Sequence, residues 1–235
     1  MFAYIPARGG SKRIKNKNIK LLGNEPIIKL TIRNLLNLDF IDNVFVSTDS
    51  EEIADIAKKC GAKIIELRPK NLADNTSGFM DLLKKDVNKY IERTKSNDFL
   101  FVLATAALVT PSIYKNSFSV YKKEKPEILM SCKETNPYWA MKYNKSNVLE
   151  PIFPEYVLTN SQDLPVSYID AGLFYYINYK QMLHYDSFKK AKKIHPFLVE
   201  DIYSVDVDTR EDWNRLEINY NYLKQNKSNL NLKHL

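Results

Sequence analysis

Short apolar runs of β type alternate with helical patterns through the first half of this chain, and that alternation narrows the fold more than any other feature. The runs are Phe2-Ala3-Tyr4-Ile5, Asn43 to Thr48, Ala62 to Leu67 and Phe99 to Thr105. Between the first two, Pro26 to Leu36 carries apolar residues at helical spacing. Asp49 with Glu52 three residues later reads as a capping box opening a helix that Gly61 closes, and Thr110-Pro111 reads as an N-cap followed by a first-turn proline. Strands separated by helices are joined by crossovers, so the chain is expected to be an α/β protein with a mainly parallel sheet. Its 235 residues, 44% of them hydrophobic, can bury one sizeable core, which predicts a single domain over 1–235.

The pattern changes after Met130. Asn136-Pro137, Pro151, Pro154 and Pro165 punctuate a stretch with few helical signals, while Trp139, Tyr143, Phe153 and Tyr156 accumulate in it. This predicts an inserted arm at about 134–165. Regularity resumes with a strand over Gly172 to Ile177, and the final helix starts near Thr209 and runs through Trp213, Leu216, Ile218 and Leu223. The polar, asparagine-rich tail at about 225–235 is expected to fray.

Two constellations carry chemistry. The first is the turn Pro6-Ala7-Arg8-Gly9-Gly10-Ser11-Lys12-Arg13, followed by Lys15, Lys17 and Asn18, directly after a buried-type strand. Glycines let backbone N–H groups approach phosphate oxygens, and Arg8, Lys12 and Lys17 can neutralise a triphosphate. Neither common phosphate-loop pattern is present, and an ordinary basic surface loop is the alternative. Four cations beside the end of a first strand, where open α/β sheets bind ligands, favour the anion site. The second constellation is Asp206-Val207-Asp208. In extended backbone the two carboxylates share one face and can reach one divalent cation, a hard-oxygen site suited to magnesium. Asp208 could instead cap the following helix with Glu211 as its partner.

The formal charge of +7 suits an anionic partner. The pairs Lys189-Lys190 and Lys192-Lys193 read as solvated surface. Basic residues that cluster in a glycine turn, rather than in an aromatic-interleaved stripe, argue against nucleic acid. Two cysteines, Cys60 and Cys132, without a Cys-x-x-Cys pattern make zinc or a disulfide framework improbable. Phe2 to Pro6 precedes Arg8, Lys12 and Arg13, the reverse of a secretory signal, and no segment suits a membrane span, so a cytoplasmic protein without a membrane partner is expected. His184, His195 and His234 stand outside these motifs.

Together the residues Ile5 to Lys12 with Lys17-Asn18 resemble the signature of the acylneuraminate cytidylyltransferases. Val46-Ser47-Thr48-Asp49, Arg68-Pro69 with Leu72-Ala73-Asp74, and Asp206-Val207-Asp208-Thr209 resemble that family's second strand, nucleotide-base loop and metal motif. Ala104-Thr105-Ala106, Ser161-Gln162-Asp163-Leu164 and Asp170-Ala171-Gly172 before Phe174-Tyr175 are similar to its pseudaminic acid branch. Lys15, Ala107 and Leu173 depart from it, standing where proline, proline and glutamine are usual. The resemblance implies a Rossmann-like nucleotidyltransferase fold, a homodimer joined through the arm, and transfer of CMP from CTP to an acidic nine-carbon sugar. It implies Mg²⁺ or another divalent cation on Asp206 and Asp208, with Lys17 catalytic beside them. Ala7, Arg8, Gly9, Gly10, Ser11, Lys12, Lys17, Asn18, Asp49 and Arg68 would hold the nucleotide. Thr105, Lys142, Gln162, Tyr168, Asp170 and Phe174 would meet the sugar, with Lys142 or Gln162 on its carboxylate and Tyr168, Phe174 and Tyr175 beside its apolar substituents. As side chains on or near a strand these rings are equally ordinary core, and for Phe174 core is the better reading.

Overall fold

The computed structural model describes residues 1–73 and 78–232. Along the chain come β1 (Phe2–Pro6), the two-residue strands β2 (Leu21–Leu22) and β3 (Glu25–Pro26), α1 (Ile27–Leu36), β4 (Asn43–Ser47) and α2 (Glu51–Lys59). Next are α3 (Phe79–Leu82), α4 (Asn88–Thr94), β5 (Asp98–Val102), α5 (Pro111–Glu124) and β6 (Ile128–Thr135). Then follow β7 (Met141–Tyr143), β8 (Leu149–Pro151), β9 (Ser167–Asn178), α6 (Tyr179–Met182), β10 (Ile194–Leu198) and α7 (Arg210–Leu232). Six strands form one sheet in the order β10-β6-β9-β5-β1-β4. β1 pairs in parallel with β4 and β5, and β10 with β6, while β9 runs antiparallel to both its neighbours. The expected mainly parallel sheet is therefore present, with one reversed strand.

Strand periodicity divides the core into two layers. Alternate side chains leave opposite faces, so Ala3, Ile5, Val44, Val46, Leu100 and Val102 pack on α1, α2 and α5. Phe2, Tyr4, Phe45, Phe99 and Phe101 meet Leu83, Val87 and Tyr90 on the other side. Burial on both faces explains why these strands read as unbroken apolar runs. A third cluster joins Ile14 of the basic turn to Val205, Val207, Trp213 and Leu216.

Two expected strands are shorter than their sequence runs. Ala62 to Leu67 makes only the isolated bridge of Lys63 to Phe45, because the chain leaves the sheet edge to carry Arg68 over Ser47. Beyond Val102 the chain leaves the sheet and Leu103 to Thr105 line a cavity. The predicted caps also divide. Thr110 accepts from Ile113 N at 3.4 Å with Pro111 in the first turn, as expected. Ser50, not Asp49, caps α2 by accepting from Ile53 N, because Asp49 is committed to the basic turn. Residues 136–166 hold the β7–β8 ribbon and two 3-10 turns outside the main sheet. The segment 225–232, marked by composition as a fraying end, continues α7, and 233–235 lie outside the described residues.

Candidate active site

The basic turn is fastened from below by the carboxyl end of β4. Ala7 N donates to Ser47 O at 2.9 Å, Gly9 N donates to Asp49 Oδ1 at 2.9 Å, and Asn18 Nδ2 donates to Arg8 O at 2.9 Å. A Cβ on Gly9 would stand 3.0 Å from Ser50 Cβ, so the close approach of turn to strand end leaves a side chain there little room, whereas Gly10 has open space. Ser11 N is turned inward on Gly9 O at 3.0 Å. With the Gly9 amide engaged by Asp49 and the Ser11 amide by Gly9 O, the anion-attracting groups are chiefly the side chains of Arg8, Lys12 and Lys17.

Beside the turn lies a cavity of about 270 Å³, walled by Arg8, Lys17, Asn18, Arg68, Thr105 and Leu82. It opens outside the carboxyl ends of β1 and β5, where the chain order of the sheet reverses. Arg68 is only 5% exposed; its Nη2 donates to Ser47 O at 2.9 Å, and its Nε is buried without an acceptor among the described residues. A buried unpaired donor is costly, and a ligand acceptor in this cavity would relieve it. Beneath it, Ser47 and Tyr4 hydroxyls donate to the fully buried Asp86, whose other oxygen lies 2.7 Å from Lys89 Nζ. Burial and then the Asp86 charge hold the Tyr4 hydroxyl well above its ordinary pKa, so it remains a donor. Asp86 sits in a π-helical turn, Leu83–Val87, between α3 and α4. Sequence reasoning missed it, since a lysine-flanked aspartate carries no sign of burial. Asp74 of the expected base loop lies outside the described residues.

The acidic pair adjoins this cavity through Lys17. Val205 and Val207 point into the third cluster, fixing Asp206 and Asp208 on the opposite, outer side, as the alternation requires, although the segment forms no strand. Burying one valine stabilises by roughly 1.5–3 kcal/mol, enough to hold the register. Lys17 Nζ donates to Val207 O and lies 3.4 Å from Asp208 Oδ1; Arg13 Nη2, absent from the predicted set, is 2.9 Å from that same oxygen. The helix cap is formed without the Asp208 carboxylate: Thr209 Oγ1 accepts from Asp212 N, and Asp212 Oδ2 accepts from Thr209 N at 2.8 Å and from Asp208 N at 3.1 Å. The capping alternative for Asp208 with Glu211 thus falls away. Desolvation, then repulsion from Asp208, raises the Asp206 pKa above its ordinary value, against the pull of Lys17. Among the described residues no three His, Cys, Asp or Glu side chains gather at metal spacing. Two mutually repelling carboxylates fit a cation that keeps waters and borrows phosphate oxygens.

The residues expected at the sugar are less gathered. Thr105 is buried in the cavity wall. Lys142 is exposed on β7 and pairs with Glu150 at 3.4 Å, and Gln162 is exposed in a 3-10 turn. Tyr168 is exposed on β9. Asp170 has both carboxylate oxygens engaged by the Tyr175 hydroxyl, at 2.8 and 2.7 Å. Phe174 is fully buried against Tyr114 and Phe197, and Tyr175 is buried against Phe101, so both rings belong to the core rather than to a sugar surface. Ala107 and Leu173 are also buried core residues, away from the cavity wall. His184 is exposed and His195 half-buried on β10, both off that wall; His234 lies outside the described residues.

A largely parallel sheet with a cationic cavity at its strand ends, and an acidic pair leashed to that cavity by Lys17, defines a nucleotidyltransferase. The cytidylyltransferase family model matches residues 2–230, and the chain belongs to that family. The pseudaminic acid cytidylyltransferase of Campylobacter jejuni is 33% identical over 220 residues, spanning 92% of this chain and 94% of that one. CMP-N,N'-diacetyllegionaminic acid synthase of Legionella pneumophila is 29% identical over 91% of this chain and 93% of its own. The solved structure of CMP:2-keto-3-deoxy-manno-octonic acid synthetase complexed with CTP matches with a TM-score of 0.67 at 15% identity, covering 92% of this chain and 96% of that one. It shares the fold.

Proposed function

We propose that this enzyme transfers CMP from CTP to the anomeric hydroxyl of pseudaminic acid, releasing pyrophosphate. The observation that carries the chemistry is the tie from Lys17 to Val207 O and Asp208, which brings the basic turn and the acidic pair to one cavity. The sugar assignment draws support from the Campylobacter jejuni relative, a pseudaminic acid cytidylyltransferase.

The attacking hydroxyl displaces pyrophosphate in line at the α-phosphorus, so negative charge builds on phosphoryl oxygens, and stabilising it is the main task. Arg8, Lys12 and Lys17 hold the triphosphate and the departing pyrophosphate. Arg68, with its Nε seeking an acceptor, and Asn18 orient the rest of the nucleotide. Asp49 acts one step removed, by holding Gly9 in place. Asp206 and Asp208 would hold Mg²⁺ or another divalent cation; bound there, it supplies Lewis-acid charge to phosphate oxygens and lowers the pKa of the attacking hydroxyl. Arg13 holds the Asp208 carboxylate beside the basic turn. Thr105 meets the sugar from the cavity wall, and Lys142, Gln162 and Tyr168 reach it from the arm and β9. The arm docks on a second copy, giving a homodimer, and burial of Trp139, Tyr143 and Leu158 against that copy accounts for their exposure here. A cytoplasmic location without a membrane partner is part of this proposal; no described helix is long and apolar enough to cross a membrane.

The test is pyrophosphate release from CTP with pseudaminic, legionaminic and sialic acids and a shorter keto-sugar acid, each alone. Highest kcat/KM with pseudaminic acid is expected. Preference for another sugar would move the substrate assignment, and no release with any of them would remove the reaction.

A further inference from the structure

β9 carries an irregularity in its pairing with β6. Met130 of β6 faces Tyr175 and Cys132 faces Asp170, so a two-residue step in one strand is matched by a five-residue step in its partner. The extra residues surround Gly172, whose φ is +63°. The Ser131 hydroxyl accepts from Phe174 N at 3.1 Å and Leu173 O accepts from Leu103 N at 2.9 Å, so the bulge has its own polar partners. Bulges of this kind re-aim side chains beside active sites.

The side chain concerned is Asp206. A Cβ built on Gly172 would lie 2.6 Å from Asp206 Cγ, 2.7 Å from Oδ2 and 2.9 Å from Oδ1. The carboxylate therefore rests on the bare Cα of Gly172. That glycine is itself clasped: its N–H donates to Asp170 Oδ1 at 2.9 Å, and Asp170 is gripped by the Tyr175 hydroxyl from within the aromatic core.

We infer that the β9 bulge is a positioning device for the cation-binding carboxylate, in which Tyr175 and Asp170 fix Gly172 and the bare Gly172 backbone sets where Asp206 sits. This rests on the reading of Asp206 and Asp208 as the divalent-cation pair. Asp170 is then a positioning residue rather than a group that touches sugar. Any side chain at 172 swings the Asp206 carboxylate aside, because the aspartate has only two torsions with which to yield.

The experiment is calorimetric titration of Mn²⁺ into the enzyme without nucleotide or sugar. Gly172→Ala is expected to weaken Mn²⁺ binding at least about tenfold. Gly23→Ala is the matched control: Gly23 also has φ +63°, and its Cβ would meet Tyr220 Cε1 at 2.9 Å, yet it lies in the β2–β3 turn. It should bind Mn²⁺ like wild type. Asp170→Asn keeps an oxygen for Gly172 N and for the tyrosine hydroxyl, and should stay within about threefold of wild type. Wild-type affinity in Gly172→Ala, equal loss in Gly23→Ala, or a loss in Asp170→Asn as deep as in Asp206→Ala would each overturn the inference. If Gly172→Ala does not fold, Tyr175→Phe carries the test, with a several-fold loss expected and wild-type affinity against it. Unchanged binding in Asp206→Ala would instead remove the cation pair itself, which separates the two failures.

Discussion

The nucleotide end and the arm are built on opposite principles. At the nucleotide end four of the expected side chains are anchored by something buried: Arg68 over Ser47 and Asp86, Lys17 on Val207 O, Asp206 and Asp208 flanking a buried valine. In the arm Leu158 is 96% exposed and Tyr143 is 73% exposed, and the β7–β8 ribbon pairs with nothing in the main sheet. A two-stranded ribbon is marginal alone, and such apolar exposure is seldom left uncovered. The first region is preorganised by its own chain. The second is the region proposed to dock on a second copy, so nucleotide chemistry and sugar recognition should respond separately to mutation.

The sharpest break in that contrast is at the acidic pair. Asp206→Ala and Asp208→Ala should each lower kcat by about 10²–10³-fold, the scale of lost charge stabilisation, with the circular dichroism of the folded enzyme retained. Full turnover in Asp206→Ala would contradict the preorganised centre. Lys17→Ala comes next. It removes a phosphate cation and leaves Val207 O without its donor, so CTP handling should worsen by about tenfold to a hundredfold, in line with roughly 1.5–3 kcal/mol for a charged hydrogen bond. Steady-state kinetics with CTP as the varied substrate checks this. In the arm, Leu158→Asp should dissociate the proposed dimer in sedimentation and raise the KM for sugar several-fold, while CTP affinity stays at the wild-type value. Equal loss of CTP affinity would mean that the two regions are not independent.

How much was legible in the sequence follows the same division. Local signals marked β1, β4 and β5, the basic turn, the acidic pair and the start of α7, because periodicity and short-range spacing govern them. What escaped was set by contacts between distant segments. Asp49 looked like a helix cap but serves Gly9, forty residues earlier in the chain. Arg13 reaches Asp208 and Asp86 disappears beneath Arg68, whereas Phe174 lies in the core, the better of the two readings its strand position allowed. The bulge in β9 is of the same kind: Asp170-Ala171-Gly172 could be read as a motif, but not as the seat of Asp206.

The smallest expected effect tests whether the preorganised end is held under electrostatic tension. Asp206 has its pKa raised above 3.8 by desolvation and then by Asp208. A carboxyl raised in the folded state contributes stability that is whole below the unfolded value and is lost as pH climbs through the folded one. Above that window the ionised Asp206 therefore works against folding, and an amide in its place does not. Without divalent cations, Asp206→Asn and wild type should melt together near pH 3, and the variant should melt somewhat higher at pH 7. Adding Mg²⁺ at pH 7 should raise the wild-type Tm and narrow the gap, since the cation relieves the repulsion only where two carboxylates remain. An Asp206→Asn enzyme that melts below wild type at neutral pH would show that the pair stabilises the fold, and that the contrast between a strained catalytic centre and an unfinished arm is wrong.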